Sequence, residues 1–407
     1  MRILIAPNAF KETLSAAEAA QAIARGLRAA LPRAALQLLP VADGGDGTAA
    51  VLRRARGGSL HRHRVTGPLG RPVWAIRTRL RGPGPPTEVL EMAQTSGLAL
   101  VPPDRRDPLR ATTRGLGELI AIARRGGARR LLIGLGGSAT VDGGAGMAAA
   151  LGFGLLDRSG RPLADGGGSL ARLARIIPSA HWNPVGRAGV HVIALADVKS
   201  PLLGAGGTAT VFGPQKGATP KMVRRLNAGL RRLARRMELD LGRRVAELPG
   251  AGAAGGLAAG LAAFLGAEIR PGAAFVLEML DFDAAAARAD WVLTGEGRLD
   301  AQTLAEKAPL VVARRAAELG VPTIALAGAV APEFLDARRA AVHPFYACFS
   351  AAAGAPSRPP GPAEAARALT RMAFQIGRLL GASGPGRRRG TRRRGGISPL
   401  PRVGGAG

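Results

Sequence analysis

Four carboxylates, Asp43, Asp142, Asp197 and Glu296, each follow an apolar run and stand beside glycine or at the end of that run. In α/β sheets, residues just beyond the carboxyl ends of the strands face the ligand. Any one of the four is as readily the cap of a following helix. Four equivalent positions, joined by Lys11 and Lys216, carry the parts of a phosphoryl-transfer site. Carboxylates can hold Mg²⁺ and accept a hydroxyl proton, lysines can offset the transferring charge, and glycine backbone can cradle phosphates.

The stretch that organises these residues is Leu131–Gly154, LLIGLGGSATVDGGAGMAAALGFG. The apolar Leu131, Leu132 and Ile133 predict a buried strand. Glycines then open a loop around Asp142, and an alanine-rich helix is expected from Met147. Strand, glycine loop and helix together point backbone N–H groups at an anion. A carboxylate in such a loop repels phosphate unless it binds a cation or a substrate hydroxyl, so Asp142 says more than the glycines do. G-x-x-x-x-G-K-[ST] is absent, which excludes a Walker-type NTPase. Gly134-x-Gly136-x-x-Ala139 and Gly250-x-Gly252-x-x-Gly255 fit the dinucleotide fingerprint in part, leaving a nicotinamide-dependent hydroxy-acid dehydrogenase as the alternative.

The elements that must position these loops alternate. Arg2–Ala6 predicts a strand, and Ser15-x-x-Glu18 a capping box that opens a helix to about Leu31. Asn8 and Lys11 lie in the loop between them. Leu36–Val41 predicts a second strand, running into Asp43-Gly44-Gly45-Asp46-Gly47 and another helix. After Gly58 the texture becomes a meander (His61–Thr66, Val73–Leu80, Thr87–Met92). Strands at His191–Ala196, Trp291–Thr294, Val321–Leu326 and Pro344–Phe349 follow, and Pro362–Leu380 closes the chain as a helix. The pattern predicts a two-domain α/β fold. Residues 1–58 and 288–381 form a discontinuous three-layer domain, 59–287 an inserted α/β domain, and 382–407 a disordered basic tail.

Composition narrows the function classes. The 407 residues carry a formal charge of +29, which raises nucleic acid as a partner. The arginines are scattered along helix-like segments without interleaved aromatics, so solvated faces are the better account. The single cysteine, Cys348, excludes an internal disulfide and sits in an apolar run, as a core residue does. His61 and His63 share a strand face, with no third metal ligand nearby. No secretory signal is apparent at the N-terminus. The charge-free window Leu248–Ala267 is mostly Gly and Ala with Pro249 inside, too weakly apolar for a membrane span. A cytoplasmic protein is expected, with oligomeric state open.

At these same residues the chain resembles the bacterial glycerate kinase family, of the class that includes the glycerate 2-kinases. The segments APNAFKETLSA, PVADGGDGT, EMAQTSGLALVP, IGLGGSATVDGGAGM, FGPQKGAT, GAGAAGGLAAGLAAFLGA and TGEGRLDAQT carry the resemblance, in family order, to about Leu380. It implies ATP- and Mg²⁺-dependent phosphorylation of D-glycerate, usually at the 2-hydroxyl, in a cleft between a Rossmann-like (flavodoxin-like) domain and an inserted one. Asp197, then Asp142, is the expected proton acceptor, with Lys11 as the third catalytic residue. Asn8, Lys11, Gly44, Gly45, Gly136, Gly137, Ser138, Lys216 and Arg298 are expected on substrate and phosphate, and Asp43 and Glu296 on the metal. The family commonly carries Asn where Val141 stands, Glu at Asp46, Asn at Ser200 and Gly at Glu306.

Overall fold

A computed structural model describes residues 1–10, 13–182, 189–300, 303, 307–334, 344–351 and 360–382. Lys11, Glu306 and the tail beyond Ala382 lie outside them. In chain order the strands are β1 (Arg2–Ile5), β2 (Ala35–Leu38), β3 (Gly58–Thr66), β4 (Pro72–Leu80), β5 (Thr87–Glu91), β6 (Arg130–Gly134) and β7 (Gly154–Leu156). Then come β8 (Arg175–Ile177), β9 (His191–Ala196), β10 (Glu268–Pro271), β11 (Trp291–Leu299), β12 (Thr323–Val330) and β13 (Ala347–Ser350).

Two sheets dominate. Both ends of the described chain build a parallel sheet in the order β13-β12-β11-β1-β2. The middle builds a second sheet, β10-β9-β6-β5-β4-β3, parallel from β10 to β5 and antiparallel through the β4 and β3 hairpin. Strands β7 and β8 form a separate antiparallel ribbon. The mixed α/β fold expected from the alternation is the one observed.

Local chemistry explains the first unit. Ser15 and Glu18 close a reciprocal capping box on the helix Ala16–Ala30. Its face of Ala19, Ile23 and Leu27 is buried with Leu369, Ala373 and Ile376 of the closing helix Pro362–Ala382 and with Ile3 and Ile5 of β1. The opposite face of β1 does something the periodicity does not predict. Leu4 and Ala6 share one buried apolar layer with Val89, Leu132, Ile193 and Leu195 of the second sheet, filled in by Leu52 and Val276 from the helices Thr48–Arg56 and Gly272–Met279. Burying a Leu or Val side chain in such a layer stabilises by about 1.5–3 kcal/mol. The sheets are therefore joined by packing, and the edge where their loops meet is held in one geometry.

Several expectations change in detail. Strand β2 stops at Leu38, short of the expected Val41: the Leu39 and Val41 amides still donate to Ile5 O and Pro7 O, but Pro7 has no N–H with which to return a ladder bond. Gly295-Glu296-Gly297-Arg298-Leu299, expected as a loop, continues β11 in register with Leu326–Val330 of β12. Pairing overrides the low strand propensity of glycine there. Strand β10 and the β7–β8 ribbon are additions to the expected elements, since three- and four-residue strands carry too little pattern to be read. Leu248–Ala267 contains the buried helix Ala253–Leu265, and among the described residues no helix is long and apolar enough to cross a membrane. Cys348 is half-buried on β13, where burial pushes its thiol up to about 11.

Candidate active site

The carboxyl ends of β1, β2 and β11 are neighbours in the first sheet, and Asn8, Asp43 and Glu296 follow or occupy them. All three are buried. Asn8 donates its side-chain amide to Asp43 Oδ2 at 3.3 Å and its backbone N–H to Gly295 O at 2.8 Å, so it ties the two acidic positions together. Asp43 Oδ1 accepts from the Gly45 amide at 3.0 Å. Glu296 Oε1 accepts from the Thr303 hydroxyl at 2.8 Å, and Thr303 in turn accepts from the Asp300 amide at 3.1 Å. A carboxylate has about four lone-pair sites, so the bonds from Asn8 and Gly45 leave Asp43 able to accept further. Arg298 is exposed and pairs with Asp300 at 3.5 Å.

The loop after β2 reaches the second sheet through backbone packed on backbone. A Cβ on Gly272 would lie 2.1 Å from Asp43 O and 2.8 Å from Gly44 Cα. One on Gly136 would lie 2.7 Å from Gly45 Cα, and one on Gly134 2.7 Å from Gly44 O. The Leu135 amide donates to both Gly44 O at 3.1 Å and Leu195 O at 3.2 Å. Glycine is required along this seam because any side chain would force the two sheets apart. Gly272 also lines a cavity of about 110 Å³ together with Asp197, Lys199, Gly250 and Arg270, so the glycine packed on the Asp43 backbone also forms part of the wall of the cavity that Asp197 borders. No backbone carbonyl among the described residues accepts from the amides of Gly136, Gly137 or Ser138.

Behind that loop the chemistry turns inward. Asp142 is fully buried. It accepts from the Thr113 amide and hydroxyl, both at 2.8 Å, and from the amides of Gly144 and Gly146, both at 3.2 Å. Burial pushes its carboxyl above the usual range, opposed by those four hydrogen bonds. The helix expected from Met147 is the short Ala145–Ala150, and its first amides are taken by Asp142 and by Thr113 Oγ1. The N–H groups expected to meet an anion there are satisfied within the protein. Lys216, also buried, donates to Ser138 Oγ at 2.6 Å and Thr140 O at 2.8 Å. Desolvation pulls its ammonium down to about 7, opposed by the neighbouring Asp142 charge. Val141, between them, lies wholly in the apolar core.

Of the residues singled out in the sequence, Asn8, Asp43, Gly44, Gly45, Gly136, Gly137 and Asp197 meet around one seam, with Glu296 joined to it through Asn8. Ser138 and Lys216 are bonded to each other, and Asp142 is held apart in its own hydrogen-bond cage. Lys199, Arg270 and Gly272 line the cavity although no sequence argument names them as site residues, and Gly250 lines it although it enters the sequence argument only through the partial dinucleotide fingerprint. Glu91 is a further residue the sequence reading misses, and burial raises its carboxyl above the usual range. A signal for it exists, an acid at the carboxyl end of a strand, the same placement that singles out Asp43, Asp142, Asp197 and Glu296. His61 and His63 bond to Ser59 and Arg77, and among the described residues no three His, Cys, Asp or Glu side chains cluster as a metal cage.

Comparison with known proteins follows the same lines. The sequence model described as the Glycerate kinase family matches residues 3–381. A Bacillus subtilis protein named glycerate kinase is 47% identical over 355 residues, covering 87% of this chain and 91% of its own length. An Escherichia coli K12 protein named glycerate 2-kinase is 45% identical over 334 residues, 81% of this chain and 86% of its own. A crystal structure from Salmonella typhimurium LT2, provisionally titled glycerate kinase 2, superposes with a TM-score of 0.80 at 41% identity, covering 94% of this chain and 98% of that one.

Proposed function

Because the chain belongs to the glycerate kinase family, we propose that it transfers the γ-phosphoryl group of ATP to D-glycerate, at the 2-hydroxyl. The position follows the name of the Escherichia coli relative. The observation that carries the reading is the seam at Gly272, where Asp43 from one sheet and the Asp197 cavity from the other share a wall. The five-stranded and six-stranded sheets are then the two lobes, divided near residues 58 and 287, and the site is their common edge. A soluble, cytoplasmic setting suits such substrates.

Asp197 takes the hydroxyl proton as the phosphoryl group moves, because it borders the cavity. Asp142 is the weaker choice as base, with four donors already filling its oxygens. The amides of Gly136–Ser138, with Lys11, receive the glycerate carboxylate. Lys216 supports that loop from behind through Ser138 and Thr140 and adds positive charge beneath the phosphates. Mg²⁺ usually takes one or two protein carboxylates and completes its shell with water and phosphate oxygens. Asp43 and Glu296, buried carboxylates at the strand ends on either side of β1, fit that demand, and a three-carboxylate cage is not needed. When bound, the ion neutralises charge on the β- and γ-phosphates.

A coupled ADP-release assay with D-glycerate, with and without Mg²⁺, tests the activity, and NMR of the product assigns the hydroxyl. A nicotinamide absorbance change with glycerate and no ATP requirement would instead favour the dehydrogenase. Asp197→Asn should lower kcat by about 10²–10⁴ with the fold intact. Near-normal turnover would remove Asp197 from its role.

A further inference from the structure

Helix Thr48–Arg56 begins directly after the Asp43–Gly47 loop, and its own N-cap residue, Gly47, offers no side chain to its first amides. The missing cap comes from the other sheet. Glu91, the last residue of β5, is 6% exposed and accepts from the Ala49 amide at 2.9 Å through Oε1, with the Gly47 amide close enough to favour its charge. Its Oε2 accepts from Gln94 Nε2 at 2.7 Å, and Gln94 Oε1 accepts from the Ile76 amide of β4 at 2.9 Å. The next residue, Met92, donates its amide to Gly134 O at 3.0 Å, where the glycine loop begins. A carboxylate at a helix N-terminus also gains from the helix dipole.

We propose that Glu91 is a positioning residue for phosphoryl transfer: by capping this helix across the sheet boundary it holds the Asp43–Gly47 loop, and Asp43 with it, in register with Gly136–Ser138 and Asp197. The proposal rests on the reading of that loop as part of the kinase site. It differs from a purely stabilising cap in one consequence. Loss of Glu91 loosens the loop where Asp43 faces the metal and leaves the glycerate contacts in place. Across the loop the Asp46 charge repels Glu91, and the Ala49 and Gln94 donors act against that repulsion.

Glu91→Gln and the double variant Glu91→Gln/Gln94→Glu test it. In the single variant the side-chain amide introduced at position 91 confronts Gln94 Nε2, donor against donor. In the double variant that amide can donate to the carboxylate introduced at position 94, which still accepts from the Ile76 amide. Hydrogen exchange of the ligand-free proteins is measured over residues 44–52. Turnover is measured at 25 °C on protein shown to be folded by circular dichroism. The single variant should exchange at Gly47 and Ala49 about tenfold faster. Its kcat should fall about tenfold, its half-activating Mg²⁺ concentration should rise several-fold, and its KM for glycerate should stay within about twofold. The double variant should recover most of each loss. Folded Glu91→Gln with wild-type kcat and Mg²⁺ dependence would reduce Glu91 to a structural cap, and unchanged exchange would remove the cap itself. Should the single variant not fold, Gln94→Met, which strips one donor from Glu91, is read by the same measures. A wild-type protein inactive on glycerate refutes the kinase reading instead, and the exchange data then judge the cap alone.

Discussion

Replacing Gly272 by alanine asks whether the seam between the sheets sets the rate. The new Cβ would stand 2.1 Å from Asp43 O, 2.7 Å from Asp43 C and 2.8 Å from Gly44 Cα. Ordinary contact needs more than about 1 Å beyond the first of these. All three atoms are backbone, so no side chain can swing aside, and the loop carrying Asp43 must move by roughly that deficit. Overpacking of this kind destabilises by about 1–3 kcal/mol. A displacement near 1 Å in a catalytic constellation costs about 10²-fold in rate. Gly272→Ala should therefore remain folded at 25 °C with a lowered Tm, and its kcat for glycerate in the ADP-release assay should fall about a hundredfold. Gly206→Ala is the control, because a Cβ there meets only Pro201 Cδ at 4.0 Å. It should behave as wild type. Gly272→Ala with wild-type kcat would show that Asp43 and the Asp197 cavity need not hold this spacing, and the shared-edge site would fall with it.

Two further outcomes follow from the buried charges. Lys216 is near 7 in the folded protein against an ordinary 10.5, so between those values the unfolded chain binds a proton that the folded one does not. Stability must then rise with pH across that window, by up to about 5 kcal/mol if it is fully traversed. Urea melts from pH 7 to 9.5 should show that rise in wild type and a flatter profile in Lys216→Met; parallel profiles would exclude the ammonium as its source. Asp142→Asn sets a side-chain amide against one of four donors, at a cost of about 1–3 kcal/mol. It should lower Tm with a far smaller loss of kcat than Asp197→Asn, and a larger loss of turnover than that variant would return Asp142 to the chemistry.

Local signals made much of this protein legible before any coordinates. The Ser15 and Glu18 capping box, the apolar run ending at Gly134 and the acids placed after strands all act within a few residues, where side-chain type and spacing decide conformation. That sufficed for the α/β class and for most of the residues that gather at the seam. It failed where distant backbone decides. Gly295–Arg298 reads as a turn until β12 supplies the pairing that makes it strand. Asp142 reads as a ligand-facing acid until Thr113, 29 positions earlier, claims it. The roles of Glu91 and Gly272 are set by partners distant in sequence, Ala49 in the helix Thr48–Arg56 and Asp43 in the loop before it, which no local pattern reveals. Sequence spacing determined which residues could do chemistry; which of them face a substrate and which are spent holding the others was decided by packing across the boundary between the sheets.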